Sequence, residues 1–95
     1  MKVYIKYFSA LREITQIKEE VLEVQEACTV MDVLHHISNK YGENATHYLF
    51  DPKTHEPRPY LQFFVEETPI SELQGFATTL TNGCTFAIIP LVGGG

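Results

Sequence analysis

The last three residues of the chain, Gly93, Gly94 and Gly95, are its most suggestive chemical feature, and they follow the apolar run 90–92. Glycine has no Cβ and loses more backbone entropy on ordering than any other residue, so three in succession add little to a folded core. We therefore expect a flexible thread over 93–95 that carries the Gly95 carboxylate and fits a slot too narrow for larger residues. The alternative is a frayed terminus without a function.

A terminal carboxylate is ionised at neutral pH and is a poor electrophile, so it must be activated before it can react. The chain has no Walker A pattern and no Gly-x-Gly-x-x-Gly fingerprint that could cradle the phosphates of ATP. Any activating enzyme is therefore expected to be a separate protein.

The two cysteines are expected to be structural. Cys28 precedes a predicted helix and Cys84 begins an apolar strand, which favours buried free thiols over a disulfide or a nucleophile.

The four histidines do not form a recognisable metal motif. His35 and His36 are adjacent on the predicted helix and diverge by about 100°, whereas a helical metal pair needs i, i+4 spacing. His47 and His55 have no cysteine or carboxylate cluster at ligand spacing. We expect no metal site and no bound cofactor.

Composition narrows the class of protein. The 95 residues are 44% hydrophobic and carry a net charge of −5, and the seven basic residues are scattered. Nucleic-acid binding draws on clustered Lys and Arg, so it is not expected. No apolar run approaches membrane-spanning length and no signal peptide is recognisable, so we expect a cytoplasmic protein that does not bind membranes.

Periodicity predicts four strands and one main helix. Alternation predicts the first strand at 2–8 and a second at 19–24, with a connecting loop that includes 11–14. Residues 61–65 and 84–89 are typical of further strands. We expect 43–60 to be a loop with a short edge strand at 48–50, and 70–80 to be irregular with one helical turn near 71–73.

The helix is predicted over Val30–Tyr41. Thr29 and Asp32 have the spacing of a capping box, and Gly42 is expected to stop the helix in the left-handed conformation. Its apolar stripe is expected to pack in the core and consists of Val30, Val33, Leu34, Ile37 and Tyr41.

These elements predict an α+β fold in which a mixed sheet packs on one main helix. If the first and last strands are neighbours in the middle of the sheet, the fold is a β-grasp. The residues expected to be buried together are Val3, Ile5, Tyr7, Val33, Leu34, Ile37, Phe86 and Ile88. We assign the folded domain to 1–92 and the glycine tail to 93–95.

The outer face of the last strand is the expected docking surface. If Phe86 and Ile88 point inward, Ala87 and Ile89 point outward and form a small apolar patch with Leu91. The predicted partner-binding residues are Ala87, Ile89, Leu91, Val92 and Gly93.

Both ends of the sequence resemble the small sulfur carriers of the ubiquitin-like, MoaD/ThiS-type family, and most of all the small subunit of molybdopterin synthase. The run 7–13, Tyr-Phe-Ser-Ala-Leu-Arg-Glu, is similar to the opening motif of that family. The run 82–95 is similar to its turn, last strand, proline-containing exit and terminal diglycine. Departures are Leu91 where a second proline is common, Gln16 where a glycine is usual, and a longer stretch at 44–60, which disfavours the shorter thiamine-pathway carrier.

The resemblance implies a carrier that is not itself an enzyme. An E1-like adenylating enzyme would use ATP to activate the Gly95 carboxylate, a sulfur donor would convert it to a thiocarboxylate, and Gly94 would let the chain pass a narrow channel. The sulfur would then go to a precursor of molybdenum or tungsten cofactor held by the large subunit of molybdopterin synthase.

Three other functions stay open. The activated glycine could modify protein lysines as ubiquitin does, or the carrier could serve another pathway such as tRNA thiolation or thiamine synthesis. The chain could also be a β-grasp interaction module with an incidental glycine tail.

Overall fold

The computed structural model describes residues 1–91. In chain order its elements are β1 (Lys2–Tyr7), α1 (Ser9–Thr15), β2 (Glu19–Glu23), α2 (Val30–Tyr41), α3 (Glu43–Leu49), β3 (Leu61–Val65), β4 (Thr68–Pro69), two 3₁₀ turns (Ile70–Glu72 and Gly75–Ala77) and β5 (Thr85–Pro90).

The strands form one mixed sheet in the order β2-β1-β5-β3-β4. β1 and β5 are parallel neighbours in its centre, while β1–β2, β3–β5 and β3–β4 pair antiparallel. The predicted adjacency of the first and last strands is therefore confirmed, and the topology is that of a β-grasp. Burial alternates strictly along β1 and β5, as a sheet with one covered face requires.

Helix α2 has the predicted bounds and the predicted cap. The Thr29 hydroxyl accepts a hydrogen bond from the Asp32 N–H at 3.2 Å, and the Asp32 carboxylate accepts one from the Thr29 N–H at 3.0 Å. Two of the N–H groups that helix formation leaves unpaired are thus satisfied. All eight predicted core residues are buried, and Tyr41 packs against them at the end of the stripe.

The predicted loop at 11–14 is wrong, because these residues lie within helix α1. Leu11 and Thr15, four positions apart, are buried beneath one face of the helix. Gln16 ends it at φ 65°, and its N–H donates to the Arg12 carbonyl at 2.7 Å.

The predicted edge strand at 48–50 is also wrong. Tyr48 and Leu49 belong to helix α3, and Phe50 makes only an isolated bridge with Pro57. Ala45 and Leu49 are buried at i, i+4 spacing, so α3 contributes its own short apolar stripe to the core.

Gly42 ends α2 as predicted but not in the left-handed helical conformation. Its φ is 85° and its ψ is −158°. Its N–H donates to the Ser38 carbonyl at 2.9 Å and its own carbonyl accepts from the Thr46 N–H at 3.0 Å, so one residue closes α2 and opens α3.

The segment before β5 is irregular as predicted, with two 3₁₀ turns in place of one helical turn. The turn at Asn82 is fastened to the start of β1, because the Asn82 side-chain oxygen accepts from the Lys2 N–H at 2.8 Å. The final strand begins at Thr85, one residue later than expected. Within residues 1–91, no helix has the length and apolar character needed to cross a membrane.

Candidate functional site

Strand β5 is a central strand of the sheet, and the glycine-containing end of the chain follows it. The strand ends at Pro90, and the Leu91 N–H donates to the Tyr60 carbonyl at 2.6 Å. Leu91 is 56% exposed. The backbone is therefore held on the sheet up to Leu91, immediately before the glycine-containing segment. The predicted site residues Val92, Gly93, Gly94 and Gly95 lie outside the described residues.

The outward face of β5 is as predicted. Phe86 and Ile88 are buried, while Ala87 and Ile89 alternate with them and are half-buried on the opposite face of the sheet. In register, Ala87 stands beside Phe64 of β3. The apolar patch on this face is therefore wider than β5 alone.

A cavity of about 520 Å³ lies over these residues. Its apolar residues are Phe8, Phe64, Ala87 and Ile89, and its polar residues are Lys6, Glu66, Glu67 and Thr85. We call this the docking cavity. An apolar floor with a polar rim is the usual composition of a protein-binding patch.

Phe8 and Phe64 are site residues that the sequence prediction missed. Alternation along β3 could have identified Phe64, because Leu61 and Phe63 are buried and the residue between Phe63 and Val65 must face the other side. The first strand ends at Tyr7, one residue before its predicted end, but the alternation of the predicted strand 2–8 already places Phe8 on the same face as Lys6 and could have identified it.

Arg12 holds Phe8 in place. The Arg12 guanidinium lies 5.6 Å from the centre of the Phe8 ring, and its Nε donates to the Tyr7 carbonyl at 3.2 Å. A cation over an aromatic face is favourable and restrains the ring. The arginine of α1 thus positions one wall of the docking cavity.

Glu66 fastens the β3–β4 turn to the start of β5. Its Oε2 accepts from both the N–H and the hydroxyl of Thr85, each at 2.8 Å. These hydrogen bonds, the backbone one first, hold the pKa of Glu66 below its usual range. The Glu66 carboxylate is therefore hydrogen-bonded inside the protein to Thr85.

The cysteines occupy structural positions. Cys28 and Cys84 are both buried, and neither forms a disulfide with another described residue. Burial, and secondarily the nearby Asp32 carboxylate, raises the pKa of the Cys28 thiol, which makes it a weaker nucleophile.

The histidines do not converge. The His35 ring stacks on Phe50 with centroids 5.1 Å apart, and within residues 1–91 no three His, Cys, Asp or Glu side chains gather as a metal site would require. His35 therefore has a packing role.

A polar cluster around Glu20 was not anticipated from the sequence. The Glu20 carboxylate accepts hydrogen bonds from the hydroxyls of Tyr7 and Tyr41 and from the Lys40 ammonium. It lies on the helical side of the sheet, across the sheet from the docking cavity, and its role is to connect β1, β2 and α2.

A second groove, of about 610 Å³, is lined by residues of β3 and of the segments that flank it, and Pro57, Met31 and Phe76 contribute to its walls. It contains none of the predicted partner-binding residues and no residue of β5. The docking cavity, which lies beside the exit of the chain, is therefore the better candidate site.

Known proteins are similar to this chain over its whole length. Small archaeal modifier protein 3 of Haloferax volcanii is 27% identical over 95 residues, which cover 100% of both chains. The solution structure of small archaeal modifier protein 1 of Methanosarcina acetivorans is 27% identical, covers 99% of this chain and 96% of its own, and superposes with a TM-score of 0.83.

A second structure extends the likeness in fold. It is from Pyrococcus furiosus and carries the provisional name molybdopterin converting factor, subunit 1; it is 22% identical, covers 97% of this chain and 99% of its own, and has a TM-score of 0.76.

The model of the ThiS family matches residues 5–95, which include the opening motif, the central strand pair and the glycine end. The β-grasp topology and this match agree. The chain belongs to the ThiS family of small ubiquitin-like sulfur carriers.

Proposed function

We propose that this protein is the small subunit of molybdopterin synthase and delivers sulfur as a thiocarboxylate at Gly95. The observation that carries the proposal is the exit of β5: the exposed Leu91 is anchored by Tyr60 next to the docking cavity and leads directly into the glycine-containing segment. A partner that holds the cavity would thereby have the reacting end within reach.

The proposed chemistry has two steps on Gly95. A carboxylate oxygen attacks the α-phosphorus of ATP in an E1-like adenylating enzyme, and pyrophosphate leaves. Hydrosulfide (HS⁻) supplied by a sulfur donor then attacks the carbonyl carbon, the bond from that carbon to the AMP oxygen breaks, and AMP leaves a thiocarboxylate at the chain end. The protein supplies the reacting group, and its partner enzymes supply the catalysis in the cytoplasm, where ATP is abundant.

The docking cavity has an energetic role in this scheme. Ordering a glycine segment in a narrow channel costs backbone entropy at each residue, roughly 1 to 2 kcal/mol per residue. The segment itself has no side chains with which to offset that cost. Burial of Phe64, Ala87 and Ile89 by the partner can offset it, because apolar area removed from water stabilises by about 25 cal/mol per Å².

A second function is supported by the relatives. The 27% identical protein of Haloferax volcanii is named a small modifier protein. In a modifier, the activated Gly95 carbonyl would be attacked by a lysine amine of a target protein, and an isopeptide bond would replace the thiocarboxylate. The first step and the docking cavity are the same in both functions, so they differ only in the acceptor.

The experiment uses the purified protein, the E1-like enzyme from the same genome, ATP and a sulfur donor. Mass spectrometry should detect one oxygen-to-sulfur exchange at the C-terminus. Adding the synthase large subunit and the pterin precursor should then return the carboxylate and yield the dithiolene product, whereas adducts on protein lysines would favour the modifier.

Two tail variants test the role of the glycine end. Deleting Gly95 moves the carboxylate back by about 3.3 to 3.6 Å, and Gly94→Val adds a β-branched side chain to the segment that must pass the channel. Each should lower the rate of thiocarboxylation about a hundredfold. Leu73→Ala, a change at an exposed residue outside the docking cavity, is the control. Wild-type rates for both tail variants would contradict the proposal.

A further inference from the structure

The rim of the docking cavity carries one positive side chain, Lys6, and two negative ones, Glu66 and Glu67, of which Glu66 is hydrogen-bonded to Thr85. Lys6 lies on β1, and Glu67 lies in the turn between β3 and β4; both are exposed and line the cavity. The ion pairs among residues 1–91 are Lys40–Glu20 and Arg58–Asp51, so neither Lys6 nor Glu67 is neutralised by another described side chain.

Lys6 has an acidic neighbour that it does not use. In register it stands between Glu19 of β2 and Ala87 of β5. Opposite charges directly across two strands commonly pair, yet no contact within 4.0 Å joins Lys6 and Glu19. The Lys6 side chain thus lines the docking cavity without an ion-pair partner among residues 1–91.

Glu67 occupies a position that its residue type does not favour. It follows Glu66 in a two-residue turn whose φ values are 49° and 67°. Such turns favour Asn, Asp and Gly, because other side chains are strained at positive φ. Glu66 is bound to Thr85, whereas the Glu67 side chain makes no hydrogen bond within residues 1–91.

We propose that Lys6 and Glu67 together are the specificity determinants that orient the E1-like adenylating enzyme on the docking cavity. The enzyme places an apolar side chain in the cavity, an acidic group opposite Lys6 and a basic group opposite Glu67. This inference rests on the proposed activation of Gly95.

The opposite charges of Lys6 and Glu67 matter because an apolar contact alone does not fix how the bound enzyme is rotated relative to this protein. A positive and a negative group at two different positions on the rim match a partner in one orientation and repel it in the reverse one, since like charges brought together are costly. Orientation decides whether the segment after Leu91 points into the active site of the enzyme.

The test measures binding of the purified adenylating enzyme from the same genome, by biolayer interferometry at low and high salt. The neutral variants Lys6→Gln and Glu67→Asn should each weaken binding about three- to tenfold, mainly through the association rate, with a smaller salt dependence. Lys6→Arg and Glu67→Asp keep the charge and should bind within about twofold of wild type.

Asn and Asp at position 67 form a matched pair, because both tolerate positive φ and differ only in charge. Glu67→Asn should be as thermally stable as wild type or more so, which separates lost recognition from lost folding. Lys2→Gln, on the same face of β1 and outside the cavity, and Glu72→Gln are controls that should bind as wild type does.

The outcomes distinguish this inference from the proposed function. Suppose that the wild-type protein binds the adenylating enzyme and is thiocarboxylated, and that Lys6→Gln and Glu67→Asn bind the enzyme with the wild-type affinity. That result would overturn the proposed role of Lys6 and Glu67 and would leave the carrier function supported. Absence of both binding and thiocarboxylation in the wild-type protein would overturn both. Equal losses in Glu67→Asn and Glu67→Asp would also overturn the rim, because they would show that length and not charge is recognised.

Discussion

The Tyr41 hydroxyl at the end of α2 lies 2.6 Å from Oε2 of Glu20 on β2. Tyr7 of β1 donates to the same oxygen, and the Lys40 ammonium lies 2.6 Å from Oε1. The tyrosine rings meet edge to face with centroids 6.2 Å apart. The Glu20 carboxylate therefore connects the antiparallel pair β1–β2 to the main helix α2.

Glu20→Gln should lower the free energy of unfolding by about 2 kcal/mol. The neutral amide accepts weaker hydrogen bonds than a carboxylate, and its NH₂ group would oppose one of the three donors. Urea unfolding at pH 7 measures the change. Glu19→Gln is the matched control, since Glu19 is exposed and has no side-chain hydrogen bond within residues 1–91, and it should change stability by less than about 0.5 kcal/mol. Equal effects of the two variants would contradict the prediction.

The stabilisation by Glu20 should disappear in acid. Burial opposes ionisation of this carboxyl, but hydrogen bonds from Lys40, Tyr41 and Tyr7 outweigh burial and hold its pKa below the ordinary value of 4.5. A pKa lowered by folding stabilises the folded state above the unfolded-state pKa, and that stabilisation is lost as the pH falls through the folded-state pKa.

The difference in unfolding free energy between wild type and Glu20→Gln should therefore be constant from pH 7 to about 5 and shrink below about 4.5. Taking the difference removes the parallel losses at other carboxyls. A difference that stays constant down to pH 3 would show that folding does not lower the pKa of Glu20.

Tyr41 should make the protein sensitive to alkali. Burial, then the hydrogen bond to Glu20 and its negative charge, raises the pKa of Tyr41 from 10.0 to about 12. A pKa raised by folding stabilises the folded state fully below the unfolded-state pKa, and the stabilisation is lost as the pH rises through the folded-state value. The stability of wild type relative to Tyr41→Phe should thus decline between about pH 10 and 12. Urea unfolding across this range measures it, and a flat difference would contradict it.

Ile89→Asp should weaken binding to the adenylating enzyme and to the synthase large subunit by about tenfold or more while the fold is retained. Ile89 is only half-buried in the isolated protein, so a carboxylate there remains hydrated until a partner covers the docking cavity and must then be desolvated. Affinities are measured by calorimetry and folding by circular dichroism.

Leu73→Asp is the control for Ile89→Asp, because Leu73 is 43% exposed and lies outside the cavity. It should bind as wild type does. Unchanged affinity of Ile89→Asp for both partners, or its unfolding, would show that the cavity is not the docking surface.

Elements with a clear period could be predicted from the sequence. The alternation of β1, β3 and β5 and the capped stripe of α2 each depend on residues close in sequence, so local pattern is sufficient. Helices α1 and α3 could not be recognised with the same ease. Each has seven residues, and helices so short are marginal on their own and are stabilised by packing against a core.

The candidate site divides in the same way. The outward position of Ala87 and Ile89 follows from the period of two along one strand. The docking cavity needs residues of β1, β3 and β5 to meet, and the cluster at Glu20 joins residues 13 and 21 positions apart. Contacts between residues of different elements depend on strand register and helix packing, which a local sequence pattern does not specify.

The sequence by itself determined the main helix, the alternating strands, the resemblance to small sulfur carriers and the chemistry expected of Gly95. Only the tertiary structure decided that Phe8 and Phe64 complete the docking cavity, that Lys6 and Glu67 share its rim, and that Glu20 fastens Tyr41. The physical reason is that local patterns record which face of an element is apolar, whereas contacts between elements depend on the global packing that brings distant residues together.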